Sequence, residues 1–380
     1  MKKQTIAIIT QLSLDSVNFG NHLQAFALND FINKNYGNVE AITLQIKAGT
    51  GIKFTSVKGC LRYYYLNIKK KVYRTVKGIK PVELRLKRFR DFANTNINIS
   101  DHEMKMAELK DKVYDKMIVG SDVVWYQYPG YIDMPRFLPF YKNVKKRYSY
   151  AASFGNEKIP NENVKLIKYW LGHFEKISVR ESVAAKMLLD IGIDNVEHVC
   201  DPTLLLTPKE WRGIAHKPQI IDEQKIDKYV FAYFLGSSEQ KIDKLKAYYE
   251  NQGFRVLYIP YVNGLIRKKE KNDLGLIDCS PQEWIWLIDN AKYVITDSFH
   301  GLVFSVLFEK SFVCIRRVFS DNINSRIVDF LKMISANDKL IDLDEIDKVK
   351  EMKWEFEQYI ASIQRFIADS KEYLNSIIGD

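Results

Sequence analysis

Short apolar runs alternate with longer stretches of helical spacing along most of this chain. QTIAIIT at 4–10 reads as a strand, because β-branched residues crowd into a run too short for a buried helix. The polar stretch LSLDSVNFG follows as a loop. In NHLQAFALNDFINKNY, Leu23, Phe26, Ala27 and Phe31 recur at the period of an α-helix with one buried face. Asn21 is its expected cap, with Gln24 completing a capping box. AITLQI at 41–46 predicts a second strand, and a helical pattern of Leu, Phe and Arg then runs through 53–92. KMIVG, KRYSYAASFG and EKISVR are further strands, the last leading straight into the helix ESVAAKMLLDIGI. NVEHVC ends at Asp201-Pro202-Thr203, where proline stops the strand and marks a junction.

The alternation then restarts. YVFAYFLG predicts a strand, SSEQKIDKLKAYYENQG a helix ending on Gly253, and FRVLYIPY a strand. SPQEWIWLIDNA carries three helix-start signals: Ser280 as cap, Pro281 at the first position and Glu283 at the third. KYVITD predicts a strand, GLVFSVLFEK a helix starting at Gly301, and SFVCIRR a strand, with a mostly helical remainder over 345–378. Two successive strand–helix series predict the α/β class, as two doubly wound domains facing a cleft. The expected division is 1–203, with a basic helical excursion at 53–92, then 204–344, then a helical tail at 345–380 that packs back on the amino-terminal domain.

Composition narrows the class. With 46% hydrophobic and 27% charged residues in 380, the chain can bury sizeable cores and is not a disordered sequence. The most apolar stretch, 293–315, is broken by Asp297, His300, Glu309 and Lys310, so no spanning helix is expected. Cys60, Cys200, Cys279 and Cys314 are scattered, with no CxxC and no histidine at ligand spacing. That pattern argues against a disulfide framework and against a metal site, and for a reduced, cytoplasmic protein. The net charge of +10 is concentrated: 53–90 holds thirteen Lys or Arg against Glu83 alone. Such a segment is either a solvated helical face or a patch for anionic lipid head groups or a polyanionic substrate.

In doubly wound sheets, ligands bind at the loops beyond strand ends. No GxGxxG, GxxxxGK[ST], HExxH or GxSxG is present, which removes the common cofactor and hydrolase signatures. Thr296-Asp-Ser-Phe-His-Gly301 carries the strongest signal: an apolar strand delivers Asp297, Ser298 and His300 to the start of an apolar helix, where unpaired N–H groups attract anions. Asn18-Phe-Gly-Asn-His22 sits at a second strand-to-helix turn, where Gly20 permits close backbone approach. Gly120-Ser121-Asp122 with Trp125 pairs a carboxylate with an aromatic, which suits a sugar. Arg180 ends a strand and offers a bidentate fork for carboxylate or phosphate, or a local ion pair with Glu181 or Asp201. Arg316, Arg317 and Arg326 follow the strand after His300.

Asn18-Phe-Gly-Asn-His-Leu-Gln24, Gly120-Ser-Asp-Val-Val-Trp125, Ser178-Val-Arg-Glu181, Asp201-Pro-Thr-Leu-Leu205 and Thr296-Asp-Ser-Phe-His-Gly301 occur in this order. Together they resemble the polysaccharide pyruvyl transferase family over about residues 5–330. The resemblance implies a GT-B-type architecture of two Rossmann-like domains. It also implies transfer of pyruvate from phosphoenolpyruvate to a sugar of a cell-surface glycan or its lipid-linked precursor, as a ketal, with release of phosphate. His300 would lie near the donor as acid/base, and Arg180 would bind a donor carboxylate or phosphate. Asp122 is the candidate base or hydroxyl ligand. Asn18, Gly20, Asn21, Ser121, Trp125, Ser298, Gly301, Arg316 and Arg326 complete the expected substrate site. Well-studied members often carry Arg two residues before the histidine; Ser298 stands there, and Arg316 and Arg326 are the candidates to restore the charge.

The expected partners are therefore phosphoenolpyruvate as donor, with no further cofactor, and a glycan or lipid-linked acceptor. An anionic membrane surface met through 53–90 is a further expected partner, giving a cytoplasmic protein peripheral to the inner membrane face; nucleic acid is not expected. The rival readings are a GT-B-type glycosyltransferase using a nucleotide sugar, and a non-catalytic glycan-binding protein.

Overall fold

Two separate parallel sheets are built from the apolar runs of the sequence. The computed structural model describes residues 3–76, 83–139, 144–235, 239–260, 276–317 and 321–379. Its first part runs β1 (Gln4–Ile9), α1 (Phe19–Asn35), β2 (Val39–Thr43), β3 (Ile52–Phe54), α2 (Val57–Val76), α3 (Glu83–Asn96), α4 (Met106–Asp111) and β4 (Tyr114–Val119). It continues with β5 (Tyr131–Asp133), β6 (Val144–Ser149), α5 (Asn161–Leu171), β7 (Ile177–Val179), α6 (Ser182–Asp190) and β8 (Val196–His198). The sheet order is β2-β1-β4-β6, all parallel. The parallel pair β7–β8 prolongs it through bridges from Tyr148 to Lys176 and from Ala152 to Val179. β3 and β5 form a short antiparallel ribbon at its side.

The second part runs α7 (Pro208–Ile214), α8 (Gln219–Glu223), β9 (Tyr229–Tyr233), α9 (Glu239–Tyr249), β10 (Arg255–Tyr258), α10 (Pro281–Asn290), β11 (Tyr293–Thr296), α11 (Phe299–Leu307), β12 (Ser311–Ile315), α12 (Asp321–Met333) and β13 (Leu340–Ile341). Its sheet order is β10-β9-β11-β12-β13, again all parallel. Helices cover both faces, so a strand such as β9, YVFAY, is buried at every residue and shows no alternation. α11 is buried along its whole length, which explains its nearly all-apolar sequence.

Aromatic side chains join the two parts. Phe19 of α1 stacks on Trp284 of α10 at 5.5 Å and meets Tyr233 of β9 edge-on at 5.6 Å. Trp211 of α7 sits between Phe26 of α1 and Phe304 of α11. Finally α13 (Phe356–Ile378) runs back across the molecule. Tyr359 near its start packs on Phe312 of β12. Near its end, the Tyr373 hydroxyl donates to the Ser149 carbonyl at 2.8 Å, and buried Lys116 of β4 donates to the Ile377 and Ile378 carbonyls at 3.0 and 2.8 Å.

Local signals are met unevenly. The Ser280–Glu283 capping box of α10 forms with Pro281 in its first turn. At α1 the expected cap is displaced: the helix starts at Phe19, and the Asn18 side chain accepts from the Asn21 amide at 3.3 Å. Burial of Phe19 in the aromatic junction pulls the preceding residues into the helix. Gln24 turns inward instead, bonding Thr10 of the β1 tip at 2.9 Å. α11 likewise starts at Phe299, two residues before the expected Gly301. The basic excursion divides into α2 and α3, whose connecting Lys77 and Lys80 lie outside the described residues.

Candidate functional site

The carboxyl ends of both sheets open onto one cleft of about 680 Å³. Gln11 follows β1, Asp122 and Val123 follow β4, and Leu235 follows β9. The β11-to-α11 turn contributes Asp297 through His300, and the far wall adds Arg317 and Arg326. Asn18 and Asn21, from the start of α1, complete the rim.

His300 stands in the first turn of α11. Its cap is Ser298, whose hydroxyl oxygen accepts from the Gly301 amide at 3.3 Å while the Ser298 amide donates to Thr296 Oγ1 at 3.0 Å. The ring is 7% exposed and fixed on two sides. Nε2 faces Asp201 Oδ2 at 3.6 Å. On the other side the imidazole lies directly on Gly20, where a Cβ would be 2.1 Å from Nδ1. The two glycine- and histidine-containing motifs, 280 residues apart in sequence, therefore form one contact.

Asp201 is fully enclosed. Its Oδ1 accepts from the Thr203 amide and hydroxyl at 3.0 and 2.8 Å, and its Oδ2 from Arg180 at 2.8 Å. Burial alone would raise the carboxyl, but His300, Arg180 and the Thr203 amide outweigh it and hold Asp201 well below the ordinary carboxylate range. An aspartate kept ionised against one edge of the imidazole fixes the orientation of the ring.

Arg180 corrects an expectation. Its three nitrogens are engaged by the protein: Nε by Glu181 at 3.1 Å, Nη1 by Asp201 at 2.8 Å and Nη2 by Asp122 at 3.3 Å. The side chain is 2% exposed and its guanidinium lies over the Phe299 ring at 4.8 Å. Burial opposes the charge, yet Glu181, Asp122 and Asp201 overcome it and keep the group cationic. Arg180 is thus a buried tie between the tips of three loops, and not a free fork turned toward a donor.

The freer cation is Arg326 of α12. It reaches Asp122 only at 3.9 Å through Nη1, and its buried Nε has no hydrogen-bond partner. Burial first, and then Arg180, press its pKa below the ordinary arginine value. An anion in the cleft would relieve both effects. Arg317 lies beside it, donating to the Asp297 carbonyl at 2.6 Å. Asp297 is itself held by the Leu235 amide at 2.6 Å and by Lys241 at 3.0 Å.

Of the twelve residues expected from sequence, the structure brings His300, Asp122, Asn18, Asn21, Ser298 and Arg326 to the cleft wall, with Gly20 beneath His300. Ser298 spends its hydroxyl on the helix cap. Four others lie elsewhere. Ser121 is fully buried and donates to the Ala151 carbonyl. Trp125 is fully buried between Phe137 and Phe154, its Nε1 on the Arg136 carbonyl at 2.9 Å, so it offers no face to a sugar. Gly301 gives its amide to Ser298, and a Cβ there would be 2.5 Å from Thr296 Oγ1, so glycine serves helix-to-strand packing. Arg316 points into a separate groove with Val183, Ser325 and Lys332, 3.6 Å from Asp342.

Gln11 carries no sequence signal, and Asp201 enters the sequence analysis only as an ion-pair partner for Arg180; Asp297 and Arg317 lie in the candidate motifs without an assigned role. Asp201-Pro-Thr carries the signal as a cap motif at a strand end, with the Asp201 side chain accepting from the Thr203 amide. Among the described residues, no group of three or more His, Cys, Asp or Glu is arranged to hold a metal ion.

Comparison with known proteins adds the family. The model described as polysaccharide pyruvyl transferase matches residues 18–317. A sequence comparison with curated proteins returned no match. Among solved structures, the chain is similar to a putative UDP-N-acetylglucosamine 2-epimerase from Listeria monocytogenes, with TM-score 0.58 and 11% identity over 99% of this chain and 96% of that one. It is also similar to UDP-GlcNAc 2-epimerase from Neisseria meningitidis bound to UDP-GlcNAc, with TM-score 0.51 and 9% identity over 99% and 100%. The S. aureus MnaA–UDP co-structure aligns with TM-score 0.51 and 12% identity over 100% and 98%. At such identities the likeness shows the fold, a GT-B-like pair of α/β units around a cleft.

Proposed function

Since the chain belongs to the polysaccharide pyruvyl transferase family, we propose that this transferase moves the pyruvyl group of phosphoenolpyruvate onto a glycan or lipid-linked saccharide, on the cytoplasmic side. The reaction balances without a further reactant. The enol methylene takes a proton and becomes a methyl group, one sugar hydroxyl adds to the neighbouring carbon, and a second displaces phosphate to close the ketal. One hydroxyl proton replaces the proton donated to the methylene; the other leaves with phosphate.

The observation that carries this reading is the convergence of the Asp201–His300 pair and Arg326 on one cleft. His300, oriented by Asp201, is the proton carrier. Arg326 is the ligand for the donor's anionic groups, which supplies the charge that Ser298 lacks, with Arg317 beside it. The first-turn N–H groups of α11 add their partial positive charge to the same anion. Asp122, which faces the cleft between Arg180 and Arg326, is the acceptor-hydroxyl ligand.

Phosphate release from phosphoenolpyruvate, measured with a panel of lipid-linked saccharides, tests the reading. His300→Asn is expected to lower turnover by roughly 10²–10⁴-fold with an unchanged unfolding temperature. Arg326→Gln is expected to raise the apparent KM for phosphoenolpyruvate more than it lowers kcat. Stabilisation by nucleotide sugars, together with no phosphate release on any acceptor, would overturn the proposal in favour of a glycosyltransferase.

A further inference from the structure

The basic segment contains an unexplained surface. Along α2, Val57, Leu61, Tyr64, Tyr65, Ile68 and Val72 are each between 53% and 80% exposed. Their spacing places them on one side of the helix, as a stripe along most of its 20 residues. Lys58, Arg62 and Lys69 are exposed as well, and each directly follows a stripe residue, so the three line one border of the stripe. No Asp or Glu occurs anywhere in α2. Soluble proteins seldom leave so continuous an apolar face in water.

Among the described residues, the contacts that fasten the helix lie at its root. Gly59 crosses Gly130 so closely that a Cβ would lie 2.1 Å from the Gly130 carbonyl oxygen. Tyr63 packs edge-on against Tyr131 at 5.1 Å and Phe54 at 5.6 Å. The root is also tied to the cleft. β5 leads directly into a turn whose Arg136 donates to the Thr10 carbonyl and, at 3.1 Å, to Gln11 Oε1, and Gln11 lines the cleft.

We propose that α2 is a membrane-surface helix: its apolar stripe enters the head-group layer of a bilayer containing anionic lipids, its Lys and Arg border pairs with their phosphates, and the cleft is thereby held beside the membrane. An apolar stripe with tyrosines and a cationic border is the pattern of helices that lie in that layer. The six Lys and Arg of α2, with no acid in the helix, supply charge complementarity to such a surface and to no neutral one. A second copy fits less well, because two such helices would bring cations together with no acid on either to pair them. No helix among the described residues is long and apolar enough to cross a membrane, so the contact is a surface one. The docking stands on these observations alone. Its use in presenting a lipid-linked acceptor rests on the function proposed above.

The test is flotation of the full chain with vesicles of phosphatidylcholine alone and of phosphatidylcholine with phosphatidylglycerol. Binding is expected only to the anionic vesicles. Leu61→Ser with Ile68→Ser, and separately Lys58→Glu with Arg62→Glu and Lys69→Glu, should each weaken it by at least about tenfold. Both sets are exposed, so unfolding temperatures should be unchanged, and phosphate release with a short water-soluble acceptor should match wild type. That assay separates a failure of docking from a failure of the functional reading. Absence of wild-type binding to anionic vesicles would overturn the proposal. So would undiminished binding by the Leu61–Ile68 variant, which would mean charge alone acts. A wild-type dimer that this variant dissolves, without vesicle binding, would reassign the stripe to a second copy.

Discussion

At the scale of single residues, the site depends on a missing side chain as much as on those present. Gly20 gives its space to the His300 ring. Gly20→Ala should therefore displace the ring, lowering turnover by about 10²-fold or more while destabilising the fold by roughly 1–3 kcal/mol; kinetics and urea unfolding of one preparation would check both. His22, two positions on, is fully buried, and burial drives its pKa down to about 4 even though the Asn18 carbonyl, on Nδ1 at 3.1 Å, favours the charged form. The unfolded chain takes this proton at about pH 6.5, so stability is complete above that value and falls as pH drops toward 4. The loss amounts to about 3 kcal/mol. Comparing wild type with His22→Phe by urea unfolding at about pH 7 and about pH 4.5 should show about 2 kcal/mol less acid sensitivity in the variant. Neither His22's burial nor Gly20's contact was legible in NFGNH alone, because both depend on residues supplied from elsewhere in the chain. The same limit explains Arg316 and Arg317. Successive residues at a strand end point to opposite sides, and nothing in the RR pair says which side holds the cleft.

At the scale of elements, legibility follows locality. The start of α10 is set by Ser280, Pro281 and Glu283 within four positions, and the helix begins where those residues indicate. Strands such as β9, β11 and β12 announce themselves because both sheet faces are covered and their runs are unbroken. The start of α1 is not local: Asn18 and Asn21 are equally good caps, and the aromatic contacts of Phe19 with α10 and β9 decide between them. Trp125 misled for a related reason, since its indole is satisfied by Arg136 in a turn eleven residues away. The end of α13 shows what such a distant contact is worth. Lys116 reaches from the middle of a buried strand to the last carbonyls of that helix, where a cation also complements the helix dipole. Lys116→Met leaves those carbonyls without this donor and should reduce stability by roughly 1–3 kcal/mol, with hydrogen exchange rising first in the final turns of α13.

At the scale of the whole molecule, the second sheet is an insertion. The chain builds β1 to β8, leaves to form β9 to β13, and returns as α13 to cover the first sheet, where Tyr373 and Ser370 bond Ser149 and the Cys200 amide. A chain ending at Trp354 should keep a protease-resistant core from the second sheet and lose one from the first; mass spectrometry of limited-digestion fragments would read the difference. The return also orders events during synthesis. All strands of the first sheet have been made by His198, but the helix that seals Tyr148 and Tyr150 begins only at Phe356. At ordinary translation speeds that interval lasts roughly eight to thirty seconds. Through it, the nascent chain presents an open aromatic face outside the ribosome while an entire second unit folds downstream. A holding chaperone has its longest opportunity there, and slowing translation between the two points lengthens the exposure instead of helping the fold.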